Sequence, residues 1–246
     1  MTDRVDGLLL GAAGTREVRM RPAAALRHGF VAGAPGTGKT TTLQVLAEAF
    51  SEAGVPVFAT DVGAELAGMS RPGGGNSAVE QRVGTLKLGA AWIRDGYPVV
   101  LWDPLGSLGH PVRVTVTQLG PLLLSPMLGL NNTQESVLAV TFRVAHENAL
   151  PLLDTRDLRA MLKYAADNAS AISTTFGGVS AASIGTVQRA LLQFEERGGV
   201  RLLGEPALDV LDLVQTDERG RGVVNLLATD RLITSRGAYS APLSWL

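Results

Sequence analysis

The residues best suited to chemistry lie at positions 33–40, which read Gly-Ala-Pro-Gly-Thr-Gly-Lys-Thr. They match the pattern G-x-x-x-x-G-K-[ST] at every specified position. The glycines permit a tight turn with inward-pointing backbone N–H groups, and a helix that follows the turn adds the positive end of its dipole. Such a loop fits an anion with several phosphate groups, so the sequence predicts a nucleotide site.

The last residues of the loop supply the side chains that this site needs. Lys39 would reach the β- and γ-phosphate oxygens as a point charge, and the hydroxyl of Thr40 would be a ligand of Mg²⁺. The predicted nucleotide-binding residues are consecutive: Gly33, Ala34, Pro35, Gly36, Thr37, Gly38, Lys39, Thr40 and Thr41. The alternative interpretation is a glycine-rich turn that binds no ligand.

A strand before the loop and a helix after it must hold this arrangement. The apolar run at residues 30–32 predicts the strand, and apolar residues at helical spacing predict a helix that ends at Gly54. A second strand at residues 55–60 then ends at Asp61. Because such a crossover is right-handed and joins parallel strands, Asp61 is expected near the nucleotide. Its side chain either contacts the loop at 33–40 or the water bound to the metal, or it serves as a helix N-cap or turn residue.

A third strand, residues 98–102, also ends in an acid, Asp103. A carboxylate at the end of an apolar strand is a second candidate for ordering Mg²⁺. No second acid follows Asp103 to polarise a water molecule, and acids are common at strand ends, so a structural role stays open. An alternating pattern predicts a further strand at 112–116, after a turn at His110.

The remaining patterns define the fold class. Residues 7–11 and 18–20 predict a hairpin, and residues 222–229 predict a return to the sheet. Between about 119 and 215 the pattern is helical, with helices beginning near Asn132, Asp154 and Ser180 and packing as a bundle. We therefore expect an α/β fold with a parallel central sheet and a helical insertion. The last residues, 239–246, begin another apolar segment.

Composition limits the class of protein. The chain has 246 residues, 46% of them hydrophobic and 18% charged, which favours one large α/β domain over two small ones. No apolar run approaches the ~20 residues that cross a membrane, and no signal sequence is recognisable, so a cytoplasmic protein is expected. Cysteine is absent from the sequence. The net charge of −1 gives no footprint of nucleic acid, but basic residues confined to a channel would escape such a sum.

Several segments together resemble the bacterial HerA-like ATPases, within the HerA and FtsK class of P-loop motors. The resemblance rests on residues 28–33, 36–40, 109–113, 120–125, 132–135, 158–162, 179–183, 188–192 and 204–208. It implies a RecA-like fold, ATP and Mg²⁺ as cofactors, and a homohexamer that translocates DNA. The loop at 33–40 alone would not single out this family.

Two departures from the family pattern bear on activity. Family members carry Lys-Gly-Asp after the acid of the second strand, whereas Gly63-Ala64-Glu65 follows Asp61-Val62 here. Their Asp-Glu-Ala-His motif lies beyond the position that matches Leu246, and this sequence does not contain it. The resemblance therefore implies a single partial ATPase domain, 1–246, incomplete at its C-terminus, that binds ATP and hydrolyses it poorly.

Two other functions remain open. A non-catalytic module could bind a nucleotide and order the helical region for assembly without turnover. A small-molecule phosphotransferase would need a base and a basic lid, for which Arg71 and Arg82 are the available residues. Nucleotide binding and phosphate release, measured side by side with and without DNA, would distinguish these functions.

Overall fold

A computed structural model describes residues 7–14, 16–61, 63, 65–86, 88, 92, 95–104 and 106–229. It contains six strands: β1 (Leu8–Ala13), β2 (Arg16–Met20), β3 (Val57–Asp61), β4 (Val99–Asp103), β5 (His110–Pro111) and β6 (Val224–Ala228). The α-helices are α1 (Lys39–Glu52), α2 (Ser77–Thr85), α3 (Val116–Leu128), α4 (Asn132–Glu147), α5 (Thr155–Asp167), α6 (Ala169–Phe176) and α7 (Ala181–Glu196).

The strands form two sheets. Strands β1 and β2 pair antiparallel, as predicted for the N-terminal hairpin. The other four form a parallel sheet in the order β3-β6-β4-β5, with Trp102 opposite His110 at the β4–β5 pair. The predicted α/β class and parallel sheet are confirmed.

The chain divides into two compact units, with boundaries between Leu101 and Trp102, between Val210 and Leu211 and between Leu227 and Ala228. The first contains the hairpin, α1, α2 and β3, and the second contains α3 to α7. The single domain expected from the sequence stays a prediction. None of the helices within the described ranges is long and apolar enough to span a lipid bilayer.

In the first unit, helix α1 packs on the sheet through Ala47, which lies in a buried cluster with Leu66, Met69, Val224 and Leu226. The end of the helix is fastened by Ser51, which is fully buried. Its hydroxyl donates to the carbonyl oxygen of Gly222 at 2.6 Å, and its own carbonyl accepts from the Gly222 N–H at 2.8 Å. These contacts fix α1, and hence the loop before it, against the strand region.

The second unit is a helical bundle with a continuous apolar core. Leu138, Leu158, Ile184 and Leu191, which helical spacing places on the inner faces of their helices, are at most 1% exposed, and Phe142 is partly buried against the same core. The predicted helix starts are also confirmed, because the side chain of Asn131 accepts from the N–H of Gln134 and that of Asp154 from the N–H of Asp157. Ser180 caps α7 in the same way. The helical patterns at these positions therefore specify both the helix starts and the packing.

Two predicted strands are wrong. Residues 30–32 have no regular secondary structure, and Phe30 is 92% exposed. The apolar run is too short to specify a strand without a partner, and no described strand pairs with it. Of the strand predicted at 112–116, only a bridge from Val114 to Leu203 forms. Helix α3 begins at Val116 because Thr115 and Gln118 form a capping box, which ends the extended backbone there.

Helices α2 and α6 were not predicted. Helix α2 begins after Asn76, whose side chain accepts from the N–H groups of Ala78 and Val79. In the sequence, Asn76 follows Gly73-Gly74-Gly75, and this composition indicates a flexible loop rather than a helix start. The apolar segment at 239–246 lies outside the described residues.

Candidate nucleotide site

The loop at 33–38 turns directly into helix α1. Gly36 and Gly38 have φ values of 76° and 90°, a backbone conformation that residues with a Cβ atom rarely adopt. Gly38 is the N-cap of α1. At Gly33 a Cβ atom would lie 2.4 Å from the hydroxyl oxygen of Thr37, so a side chain here would require Thr37 to shift. The loop's geometry thus favours glycine at all three positions.

The carbonyl oxygen of Ala34 is the centre of the loop's hydrogen bonds. It accepts from the hydroxyl of Thr37 at 2.8 Å and from the backbone N–H of Thr37 at 3.4 Å. It also accepts from the Lys39 ammonium at 2.8 Å. The lysine can leave for another acceptor while both bonds from Thr37 remain. Sequence reasoning missed this role of Thr37, which occupies an unspecified position of the motif.

The start of α1 offers donors that need an acceptor. The first intrahelical bond runs from the Thr42 N–H to the Gly38 carbonyl, at 2.9 Å. Because Gly38 has no side chain to cap the helix, the N–H groups of Lys39, Thr40 and Thr41 have no acceptor among the described residues. The start of α1 therefore carries three backbone donors, the ammonium of Lys39 and the hydroxyl of Thr40 on consecutive residues. This donor set suits the oxygens of a phosphate and fits the predicted nucleotide.

Asp61 lies at the end of β3, in the same unit as the loop. Its side chain is 8% exposed, and both of its oxygens are occupied. One accepts from the N–H of Glu65 at 3.1 Å; the other accepts from the N–H groups of Leu66 and Ala67, at 3.1 and 3.3 Å. Asp61 thus caps the 3₁₀ turn Leu66–Ser70, which is the structural role that the sequence left open.

A polar contact connects this turn to helix α1. The side-chain amide of Gln44 donates to the carbonyl oxygen of Glu65 at 3.1 Å. Asp61 is therefore held beside the second turn of α1 through the backbone that it caps. Nothing in the sequence distinguishes Gln44 from an ordinary helix-surface residue, so this contact was not predictable.

Asp103 lies at the end of β4 in the second unit. It is 4% exposed, and its Oδ2 accepts from the N–H and hydroxyl of Ser107, at 2.7 and 3.0 Å. The N–H of Leu108 donates to the same oxygen at 2.8 Å. The carboxylate shapes the turn that leads to β5. Across the described ranges, no group of three or more acidic or histidine side chains is placed to hold a metal ion.

Comparison with known proteins gives one assignment. A search of curated proteins found no match to the chain. The sequence model of the family described as helicase HerA-like C-terminal matches residues 8–246, which is nearly the whole chain. The chain therefore belongs to the HerA-like helicase family.

Proposed function

We propose that this protein is the ATP-binding part of a HerA-like motor ATPase, with a RecA-like fold, and that residues 33–41 hold ATP and Mg²⁺. The observation that carries the proposal is the complete phosphate-binding motif directly at the start of α1, with Gly38 as a left-handed N-cap. The unaccepted N–H groups and the Lys39 ammonium would stabilise the negatively charged oxygens of a triphosphate.

Binding of ATP at the loop would require the Lys39 side chain to change its hydrogen-bond partner. The Lys39 ammonium must exchange the Ala34 carbonyl for phosphate oxygens. Ala34 keeps the two hydrogen bonds from Thr37, so the loop keeps its shape. The Thr40 hydroxyl would be the protein ligand of Mg²⁺, whose other ligands would be phosphate oxygens and water.

We expect slow hydrolysis by this chain. A motor ATPase needs one carboxylate to order the metal's water shell and another to orient the attacking water. Asp61 and Asp103 are the metal-site candidates from the sequence, and both engage backbone N–H groups as turn caps. These hydrogen bonds already orient both carboxylates toward their own turns. The sequence contains no Asp-Glu-Ala-His segment to supply the pair instead.

The turn-capping roles of Asp61 and Asp103 favour one further candidate function. In this candidate the protein is a non-catalytic module, and nucleotide binding orders it for assembly. The motor proposal includes three further features. The protein would form a homo-oligomer, as hexameric motors do, it would bind DNA, and it would be located in the cytoplasm. The phosphotransferase gains no support, because Arg82, one of its two lid residues, donates to the Ala12 carbonyl of the hairpin.

The experiment is a titration with a fluorescent ATP analogue, followed by phosphate release from ATP on the same sample. We expect Mg²⁺-dependent binding and little release, both unaffected by Lys163→Ala, since Lys163 lies on α5 in the second unit. DNA is then added as single and double strands. Release at an ordinary motor rate would contradict slow hydrolysis, and stimulation by DNA would favour the motor over the assembly module.

A further inference from the structure

A second candidate binding site lies in the first unit, between the β1–β2 hairpin, α1 and α2. It is a pocket of about 330 Å³, at the small end of the roughly 300–1,000 Å³ typical of ligand pockets. Its wall is mostly aliphatic and aromatic, and its charged lining consists of Glu17, Glu48 and Glu52. Among the described residues, no lysine, arginine or histidine lines it.

Two of these carboxylates, Glu48 and Glu52, have no directly bonded partner among the described residues, although the Arg221 guanidinium lies near enough to Glu52 that the pKa of Arg221 is raised by Asp217 first and by Glu52 more weakly. Glu48 and Glu52 are one turn apart on α1, so like charges share a helix face, an arrangement that is unfavourable by itself. Neither forms a hydrogen bond or ion pair with any residue that the structure describes, whereas Glu17 is paired with Arg19 at 2.7 Å. Burial and the charge of Glu52 both raise the pKa of Glu48. A cation placed between the two would relieve both effects.

Aromatic rings complete the lining. Trp92 and Tyr97 face the pocket, and the Arg221 guanidinium already lies 5.6 Å from the centroid of the Tyr97 ring. Aromatic faces attract cations, and ammonium ligands are commonly held by aromatic rings and carboxylates together. Burial, followed by Glu48 and Glu52, raises the pKa of Tyr97 to about 12, so its phenol stays neutral. The charged residues that line the pocket are therefore its carboxylates, and the nearby Arg221 guanidinium occupies one position at the Tyr97 ring.

We propose that this pocket binds an organic cation, an ammonium group joined to a hydrocarbon or aromatic body. The body would fill the space beside Leu10, Val45 and Leu86, and the ammonium would lie between Glu48 and Glu52. Lys39 and Glu52 are at opposite ends of α1, about 20 Å apart at 1.5 Å per residue. The site is thus distinct from the nucleotide site and independent of the function proposed for it.

The test compares two probes of the same shape by titration calorimetry at pH 7: 3-phenylpropylammonium and the neutral 3-phenylpropanol. We expect the cation to bind at least about tenfold more tightly than the alcohol. The double variant Glu48→Gln, Glu52→Gln should lose that preference. Glu147→Gln, on α4 and ion-paired with Arg143 in the second unit, should keep it.

A cooperative melting transition at or above the parent's melting temperature serves as the check on the folding of each variant. The proposal is overturned if the cation shows no binding at millimolar concentration, or if alcohol and cation bind equally. It is also overturned if the folded double variant retains the preference.

Discussion

The ammonium of Lys39 donates a hydrogen bond of 2.8 Å to the carbonyl oxygen of Ala34, five residues earlier in the loop. The lysine thereby closes the loop on itself from the first residue of α1. Because the same carbonyl also accepts from Thr37, release of the lysine does not leave it unsatisfied. The contact holds the cation at the loop, where a phosphate oxygen would compete with only one neutral acceptor.

The close approach at Gly33 predicts a sensitive position. In Gly33→Ala the new methyl group would lie 2.4 Å from the Thr37 hydroxyl oxygen and force Thr37 away from Ala34. We expect affinity for the ATP analogue to fall about tenfold or more. Gly29→Ala is the matched control, since a Cβ there meets nothing within 4 Å. Equal affinities of the two variants would show that the loop does not need its present shape.

The role of Asp61 can be separated into cap and metal ligand. Asp61→Asn keeps an oxygen that accepts from the backbone but removes the charge, whereas Asp61→Ala removes both. If Asp61 acts as a cap, we expect Asp61→Ala to lower the unfolding free energy by about 1 kcal/mol. Asp61→Asn should lower it by less. Mg²⁺-dependent analogue binding should survive in Asp61→Asn. If asparagine abolished the Mg²⁺ dependence without unfolding the protein, Asp61 would be a metal ligand.

Helix α7 offers a direct test of the helical core. Leu191 is 1% exposed, and its neighbour Leu192 is 45% exposed. Leu191→Ala should lower the unfolding free energy by about 2–5 kcal/mol, because the cavity it leaves cannot fully collapse. Leu192→Ala should cost less than about 1 kcal/mol. Denaturant unfolding of both variants measures the two free energies. Comparable decreases would contradict the assignment of Leu191, and not Leu192, to the buried face of α7.

Glu48 predicts a stability that depends on pH. Burial raises its pKa in the folded protein, so its ionised form is disfavoured by folding. This cost is fully present above the raised pKa and absent below the unfolded value of about 4.3. Glu48→Gln should therefore raise the melting temperature at pH 7, and the gain should shrink and vanish as the pH falls to about 4. A lower melting temperature at pH 7 would mean that the carboxylate has a favourable partner.

The reliably predicted features are those fixed by local rules. The helix starts at Asn131 and Asp154 and the tight turn at Gly38 follow from side-chain chemistry within a few residues, and the structure contains them. The buried faces of α4, α5 and α7 follow from helical spacing. The P-loop could be recognised because its motif specifies both backbone freedom and charge.

The features that were wrong or missed depend on residues distant in sequence. Whether residues 30–32 form a strand depends on a partner strand, which three apolar residues cannot specify. The caps made by Asp61 and Asp103 depend on turns whose backbone N–H groups converge on one carboxylate. A strand-terminal acid looks the same in sequence whether it binds a metal or a turn.

Titration of the chain and its Lys39→Ala variant with a fluorescent ATP analogue and Mg²⁺ tests the central assignment most directly. Lys39 contacts the loop rather than either apolar core, so the variant should keep its melting temperature and lose most of its nucleotide affinity. Lys163→Ala should bind as the parent does. Undiminished binding by a folded Lys39→Ala variant would contradict the assignment of residues 33–41 as the nucleotide site.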